Sequence, residues 1–371
     1  MIIVGGGASG LSAAGALRRR GIDSLVLERD NEIGGTWARR YDRLHLHTMR
    51  DFSGLAHVPI PKRYPRYLSR EQFAEYLTDY ARQLELNVVT GTAVRRVRRD
   101  GGRWVIDVGA RKDSAAMEAR VVVVATGQYG EPCIPAWPGR KIYKGRLLHS
   151  CLYANAAPFV GLRVLVVGAG NSGAEIATDL SEGGAAFVSL SVRTPPPIVP
   201  RDPFGLPVQR TSILLSLLPA VVADRIARTT ASLALGDLTR YGMPAAAFTP
   251  YGRRHVPLID VGFVAALKRG AMAIRPAVTD LTPEGARFAD GAAEAFDAIV
   301  AATGFTSGLR SLLDADGVLD DAGEPIGLSG EPTSAPGLYF VGFVHSLRGH
   351  LFEANRASRR LARHVERYLQ S

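Results

Sequence analysis

MIIVGGGASG (residues 1–10) and RVLVVGAGNSG (residues 163–173) decide how this chain folds. Each runs from an apolar, β-branched stretch straight into G-x-G-x-x-G. In the first copy, Met1–Val4 reads as a strand and Leu11–Arg20 as a helix, with Leu11, Ala14 and Leu17 at helical spacing. Ser24–Leu27 reads as a second strand that ends in Glu28. Strand, glycine turn, helix, strand and acid together turn a common glycine spacing into a dinucleotide-binding unit. Gly5 permits the tight turn, Gly7 lets a pyrophosphate approach the backbone, and Gly10 lets the helix pack close to the strand. The phosphates are expected at the positive end of the helix, beside Ser9. Glu28, 18 residues beyond Gly10, is placed to accept from ribose hydroxyls. Only four residues precede Gly5, so the first strand is unusually short: either the start is misassigned or the strand is trimmed, with weak cofactor retention as the symptom.

The second copy repeats the pattern. Arg163–Val167 reads as a buried strand, and Gly168, Gly170, Asn171, Ser172 and Gly173 form the turn. A helix follows through Ala174, Ile176, Ala177 and Leu180, and then a strand over Phe187–Val192. That strand ends in Ser191, Arg193 and Thr194 where the first copy has an acid. A cation in place of the acid is the change expected for a ribose bearing a 2′-phosphate, which favours NADPH over NADH, with Arg193 the first candidate contact and Arg201 the second. A further repeat ties the halves together: Val121–Gly127 (VVVVATG) and Ile299–Phe305 (IVAATGF) both read as buried strands closing on Ala-Thr-Gly. Thr126 and Gly127 are assigned to the first cofactor, and Thr303 and Gly304 to the second. Gly337–Gly342 reads as a last buried strand, with Gly342 beside the first cofactor. The expected fold is α/β with two Rossmann-like domains. The first is discontinuous, residues 1–154 and 299–371, and the second, residues 155–298, is inserted into it with a helical insertion at about 200–257.

Composition agrees with a globular enzyme. A chain of 371 residues can bury two cores, and 46% apolar with 22% charged residues is ordinary for folded domains. The net charge of +10 comes from scattered arginines, with no basic block interleaved with aromatics. It reads as solvated surface plus phosphate sites, and no nucleic-acid partner is expected. Cys133 and Cys151 are the only cysteines and form no C-x-x-C, so neither a redox dithiol nor a zinc site is readable. The longest apolar run, Ile213–Ala223, is interrupted by Ser216 and Pro219 and is too short to span a bilayer. No leader segment is expected, and the location is read as cytoplasmic.

Several segments fall outside the two glycine units. Gly34-Gly35-Thr36-Trp37 follows the acidic strand end, and Trp37 reads either as a core aromatic or as a neighbour of the first cofactor. His45 and His47 alternate with Leu44 and Leu46 as on a strand, without a third ligand nearby, so no metal is expected. Ser69 opens an amphipathic helix through Phe73, Tyr76, Leu77 and Tyr80. Short strands are expected at Asn87–Thr90, Val94–Arg98 and Arg103–Val108. Between Ser212 and Leu235 lies an apolar helical stretch. It is expected to pack as an extra helical pair that also lines a cavity, with a membrane surface or a dimer interface as alternatives. Ile259–Gly270 is read as a helix, and Leu351 onward as another. The turn before that last helix holds Arg348 and His350, the candidates for polar groups acting on substrate.

Between the two fingerprints stands Tyr143-x-Gly145-x-x-x-His149-x-x-x-Tyr153. This resembles the F-x-G-x-x-x-H-x-x-x-Y motif of the flavin-containing monooxygenase family, with Tyr143 standing for Phe. Type I Baeyer–Villiger enzymes are similar, but their motif ends in Trp followed by Pro or Asp, whereas here Tyr153 is followed by Ala154. Within the family, Tyr41–His47 (YDRLHLH), Pro200-Arg201 with Phe204-Gly205, Leu235–Met243 (LGDLTRYGM), Val256–Gly262 (VPLIDVG) and Gly337–Phe343 (GLYFVGF) resemble the YUCCA-type indole-3-pyruvate monooxygenases. The resemblance implies FAD on the first unit, with Trp37 and His45 in its neighbourhood, and NADPH on the second. It implies insertion of one atom of O2 into a small-molecule substrate through a C4a-(hydro)peroxyflavin. That substrate is an aryl-pyruvate or other α-keto acid, a ketone, or a soft nitrogen or sulfur centre. Gly145, His149 and Tyr153 become the family's linker motif, with His149 read as holding the linker to the NADP region and not as a catalytic base. A flavin reductase releasing H2O2 and a non-catalytic FAD-binding sensor are the alternatives. The sequence leaves monomer and homodimer open.

Overall fold

The computed structural model describes residues 1–109, 115–251 and 256–371. The part of the expected insertion at residues 252–255 therefore lies outside the described residues. The chain begins with β1 (Ile2–Val4), α1 (Ala8–Arg18) and β2 (Leu25–Leu27). It continues through α2 (Arg70–Gln83) and β3 (Asn87–Val89). Ser69 starts α2 with a complete capping box: its hydroxyl accepts from the Gln72 amide, and the Gln72 side chain accepts from the Ser69 amide. An antiparallel ladder of β4 (Val94–Asp100), β5 (Arg103–Val108) and β6 (Ala115–Ala119) precedes β7 (Val122–Val124).

The chain then lays down β8 (Arg146–His149), β9 (Arg163–Val167), α3 (Asn171–Glu182), β10 (Phe187–Ser191) and β11 (Ile198–Pro200). A helical hairpin follows, α4 (Val208–Leu215) and α5 (Ala220–Leu235). Next come β12 (Leu258–Asp260), α6 (Phe263–Lys268), β13 (Ala273–Arg275) and an antiparallel set of β14 (Val278–Leu281), β15 (Gly285–Phe288) and β16 (Ala293–Ala295). After β17 (Ala298–Ala301), the chain ends with β18 (Leu338–Phe340) and α7 (His350–Gln370).

Two five-stranded parallel sheets result, ordered β18-β7-β1-β2-β3 and β13-β10-β9-β17-β8. In each, the strand before the glycine turn is central, flanked by the next strand on one side and by the Ala-Thr-Gly strand on the other. Val4 pairs with Leu27 and Val124, and Val167 with Ser191 and Ala301. The glycine turn thus leaves the sheet at the point where strand order reverses, the crevice in which open α/β sheets bind ligands. Period-2 alternation covers both faces of the first sheet. Ile3 and Val123 pack with Leu361 and Val365 of α7, while Ile2, Val4, Val122 and Val124 pack with Trp104 and Ile106 of the antiparallel ladder.

The chain divides into two compact units, Met1–Arg39, Thr48–Glu131 and Phe305–Ser371 in one, Arg40–His47 and Pro132–Gly304 in the other. These limits differ from the expected division at 154/155 and 298/299. Residues 132–154 go with the second unit because β8 pairs in parallel with β17, Arg146 opposite Ala298 through His149 opposite Ala301. Residues 40–47 join it through contacts described below. The apolar stretch Ser212–Leu235 is a helical pair as expected, α4 and α5, divided at Pro219, which lacks the amide that a continuing helix needs. One other helix expectation changes. The start of Ile259–Gly270 is strand, because Leu258–Asp260 pairs with Ile198–Pro200, and Gly262 at φ 112° turns the chain into α6.

Candidate functional site

The two glycine turns have the same stereochemistry. Gly5 and Gly168 sit at φ 103° and 109°, left-handed values that only glycine adopts cheaply. A Cβ on Gly5 would meet the Ala125 carbonyl oxygen at 2.7 Å, and one on Gly168 would strike that of Ala302. The Ala-Thr-Gly repeats are therefore the floor against which each turn is pressed. A Cβ on Gly10 would overlap the Gly5 carbonyl oxygen, and one on Gly173 the Gly168 carbonyl oxygen. A Cβ on Gly7 or Gly170, in contrast, would meet no atom of the described residues within 4 Å beyond its chain neighbours, and the same holds at Gly127 and Gly304. Gly7 and Gly170 are also the N-caps of α1 and α3, and neither helix has a side-chain cap or an acid in its first turn. Each unit thus presents, among the described residues, uncapped backbone N–H groups at a positive helix end with no side chain over them, which suits a pyrophosphate.

On the first unit, Glu28 is buried at the end of β2. One carboxylate oxygen accepts from the Gly6 amide at 2.6 Å and the other from the Asp30 amide at 2.9 Å, which fixes the side chain beside the turn. Each oxygen keeps a lone pair for a ribose hydroxyl. Ser9 is buried and in close approach to Gly342, which sits at φ 94° and on which a Cβ would overlap the Ser9 side chain. Thr126 is exposed at the mouth of the turn. Trp37 packs edge-on to Phe73 with centroids 4.7 Å apart, an aromatic anchor for the short helical turn Gly35–Ala38.

Arg348 and His350 sit where α7 begins. Arg348 Nε donates to Glu353 Oε1 at 2.6 Å, so its guanidinium is already paired within the first turn of the helix. Burial lowers the pKa of His350, more than its hydrogen bond to the Val344 carbonyl raises it.

On the second unit, the residue in register with Glu28 is Val192, which is buried. No carboxylate stands there to accept from a ribose 2′-hydroxyl or to repel a 2′-phosphate. Ser191 is turned away, donating to the Pro276 carbonyl at 2.7 Å. Arg193, the next residue but one, is exposed and has no hydrogen-bond or ion-pair partner among the described residues. Arg201 instead donates to Asp202 at 3.4 Å. Asn171 has a structural duty, since its amide donates to the Pro257 carbonyl and accepts from the Ile259 amide at 2.7 Å, tying β12 to the start of α3. Thr303 donates to the Cys133 carbonyl.

The linker motif is laced along this same unit. Tyr143 OH donates to the Phe296 carbonyl at 2.9 Å, and Gly145 is small enough to pass under that ring. The amide of Cys151 donates to His149 Nδ1 at 3.2 Å, which leaves Nε2 as the protonated nitrogen, donating to the Gly304 carbonyl at 3.0 Å. His149 thereby fastens the linker to the Ala-Thr-Gly turn. Tyr153 OH donates to Asp179 Oδ2 on α3 at 2.6 Å, and burial together with that carboxylate pushes its pKa up.

Burial lowers the His149 pKa, the Gly304 carbonyl opposing that shift in part. A histidine whose folded pKa lies below its unfolded value stabilises the fold above the unfolded pKa of about 6.5 and loses that contribution as pH falls through the folded value. Protonating Nδ1 also breaks the Cys151 bond. The melting temperature of wild type is therefore expected to fall on acidification below pH of about 6.5, and that of His149→Gln to fall less. Equal acid sensitivity in both proteins would remove His149 from this role.

Sequence patterning missed one network. Residues 40–47 do not form a strand; they pack on α3. His47 Nε2 lies 2.6 Å from Oε1 of the buried Glu175, and Tyr41 bonds to Ser172 and Glu175, its pKa raised by burial and by that carboxylate. Arg43 pairs with Glu182, and the Asp42 amide donates to Ala154 at 2.8 Å. His45, grouped above with the first cofactor, belongs to this segment of the second unit, exposed and bonded to the Arg43 carbonyl. A buried glutamate in the second turn of a helix was the available signal, but its partner lies 128 residues away in sequence.

Residues 1–318 match the family model described as "Flavin-binding monooxygenase-like". The indole-3-pyruvate monooxygenase YUCCA1 of rice (Oryza sativa subsp. japonica) is 37% identical over 92% of this chain and 86% of its own length. YUCCA6 of Arabidopsis thaliana is 35% identical over 96% and 88%. Among solved structures, the flavin-containing monooxygenase from Stenotrophomonas maltophilia superposes with a TM-score of 0.74 at 27% identity, covering 99% of this chain and 98% of its own. Cyclohexanone monooxygenase has the same TM-score at 19% identity over 99% of this chain and 84% of its own, a likeness of fold alone. With its paired glycine turns, its Ala-Thr-Gly floors and its linker motif, this chain belongs to the flavin-binding monooxygenase-like family, as a flavin-dependent monooxygenase whose cofactors are FAD and NADPH.

Proposed function

We propose that this protein oxidatively decarboxylates an aryl-pyruvate or closely related α-keto acid at the expense of NADPH and O2. The observation that carries the substrate class is the likeness to plant indole-3-pyruvate monooxygenases at 33–37% identity, spanning nearly the whole chain and including the segment around the helical hairpin. Reduced FAD supplies the activation of O2. The first unit would hold the FAD pyrophosphate at the N-terminus of α1, with Gly7 leaving it room and Glu28 accepting from the adenosine ribose. The second unit would hold the NADPH pyrophosphate at the N-terminus of α3, with Arg193 at the 2′-phosphate. His149 and Tyr153 position the Gly304 turn and α3 through the bonds given above. They take no proton from substrate: Nδ1 of the first is occupied, and the phenol of the second stays protonated.

The balanced reaction consumes one keto acid, one O2, one NADPH and one proton, and yields the carboxylic acid one carbon shorter, CO2, NADP+ and water. Coupled NADPH and O2 consumption with aryl-pyruvates, amines, sulfides and ketones tests it. The expected result is stimulated NADPH oxidation with stoichiometric CO2 from aryl-pyruvates only. Stoichiometric H2O2 with every compound would instead identify a flavin reductase, and turnover confined to amines or sulfides would replace the substrate class.

A further inference from the structure

The hairpin of α4 and α5 carries an apolar tip that no other described element of its own unit covers. Leu214, Leu217, Leu218, Val221 and Val222 are all exposed there, Leu217 and Val221 at about four-fifths of their surface, 79% and 80%. Along α5 the apolar stripe continues through Ile226 and Leu233, also exposed. The charged groups around it have one sign. Between residues 204 and 235 the exposed charged side chains are Arg210, Arg225 and Arg228. The one carboxylate, Asp224, is buried and accepts from the Tyr251 amide at 2.7 Å. Arg225 and Arg228 share the walls of a shallow depression of about 340 Å³ with Thr229, Ser232 and Leu233.

We infer that this hairpin docks the enzyme on the surface of a bilayer containing anionic phospholipid. The apolar tip enters the acyl boundary, and the arginines and hydroxyls of α5 meet the headgroup phosphates, the division of labour of interfacial helices. Charge selects this occupant over a second copy of the chain. A two-fold contact would set the same arginines against their own copies, with no exposed carboxylate on the hairpin to pair with them, between molecules each carrying +10. The contact is peripheral, since no helix among the described residues is long and apolar enough to cross a membrane.

Co-sedimentation of the flavin-loaded protein with vesicles tests this. Binding is expected to vesicles of phosphatidylcholine with phosphatidylglycerol, to weaken as salt is raised, and to be slight on phosphatidylcholine alone. Arg225→Gln with Arg228→Gln is expected to weaken binding about 25-fold, roughly fivefold per arginine. Leu217→Ser with Val221→Ser is expected to abolish retention while flavin content and NADPH oxidation in buffer stay unchanged. Failure of the wild type to bind, or binding indifferent to lipid charge and salt, would overturn the proposal. So would a dimer in light scattering that the serine variant dissociates, because the tip would then be a protein interface.

Discussion

Gly10→Ala is expected to yield a protein that melts earlier and carries no FAD, whereas Gly7→Ala is expected to lose the flavin without losing stability in its absence. The two glycines are three residues apart in one turn, yet what surrounds them is opposite. A methyl on Gly10 overlaps the Gly5 carbonyl oxygen and presses on Ala125 Cβ at 3.4 Å, so α1 must back away from β1. Overpacking of this kind costs about 1–3 kcal/mol and distorts the turn whether or not a cofactor is present. Gly7 has φ −74°, which alanine adopts freely, and its added methyl would meet no atom of the described residues within 4 Å beyond its chain neighbours. In the proposed FAD site, the space that methyl takes is the space the pyrophosphate would need. Flavin-to-protein absorbance ratios and melting curves of flavin-free protein measure the two effects separately. If Gly7→Ala retained stoichiometric FAD, the vacant ground beside α1 would not be the pyrophosphate site.

The same contrast explains what the sequence could and could not disclose. Turn geometry is largely local: Gly10 packs on the Gly5 carbonyl and Gly7 caps α1 within one strand–turn–helix unit, so their spacing told where the turn is tight and where it is open, although not that Gly5 would press on Ala125. The Ala-Thr-Gly repeats were legible for a related reason, since a buried parallel strand reads as an unbroken apolar run. Boundaries between the units were not legible, because strand pairing far along the chain sets them. Nothing within Arg146–His149 announces that it will pair with Ala298–Ala301.

Likewise, Leu258-Ile-Asp260 reads smoothly into the apolar run of α6, and only its partner Ile198–Pro200 makes it a strand. The Tyr41–His47–Glu175 network was hidden in the same way, as was the duty of Asn171, an expected phosphate neighbour whose amide is spent on β12. The hairpin was recognised as helical and apolar. Whether its leucines were buried depended on whether another element lay over them, and among the described residues of its unit none does.

Arg193→Ala is expected to lower kcat/KM for NADPH about 30-fold and to leave that for NADH unchanged. A guanidinium on a phosphate makes a charge-assisted bond worth about 2 kcal/mol, and each 1.36 kcal/mol is tenfold. Three features make this substitution unusually clean. Arg193 is exposed and has no partner within the described protein, so its removal strands no other group and should leave the melting temperature unchanged. Its neighbour in register with Glu28 is the apolar Val192, so there is no carboxylate whose repulsion of the 2′-phosphate would be unmasked. NADH lacks the 2′-phosphate, which makes it the internal control for damage to the pyrophosphate and nicotinamide ends. Arg201 is the competing candidate, already engaged with Asp202. Arg201→Ala is expected to change the NADPH to NADH ratio much less. Reversed effects in the two variants would move the 2′-phosphate contact to Arg201, and equal losses with both nucleotides in Arg193→Ala would show that Arg193 serves the common part of the cofactor.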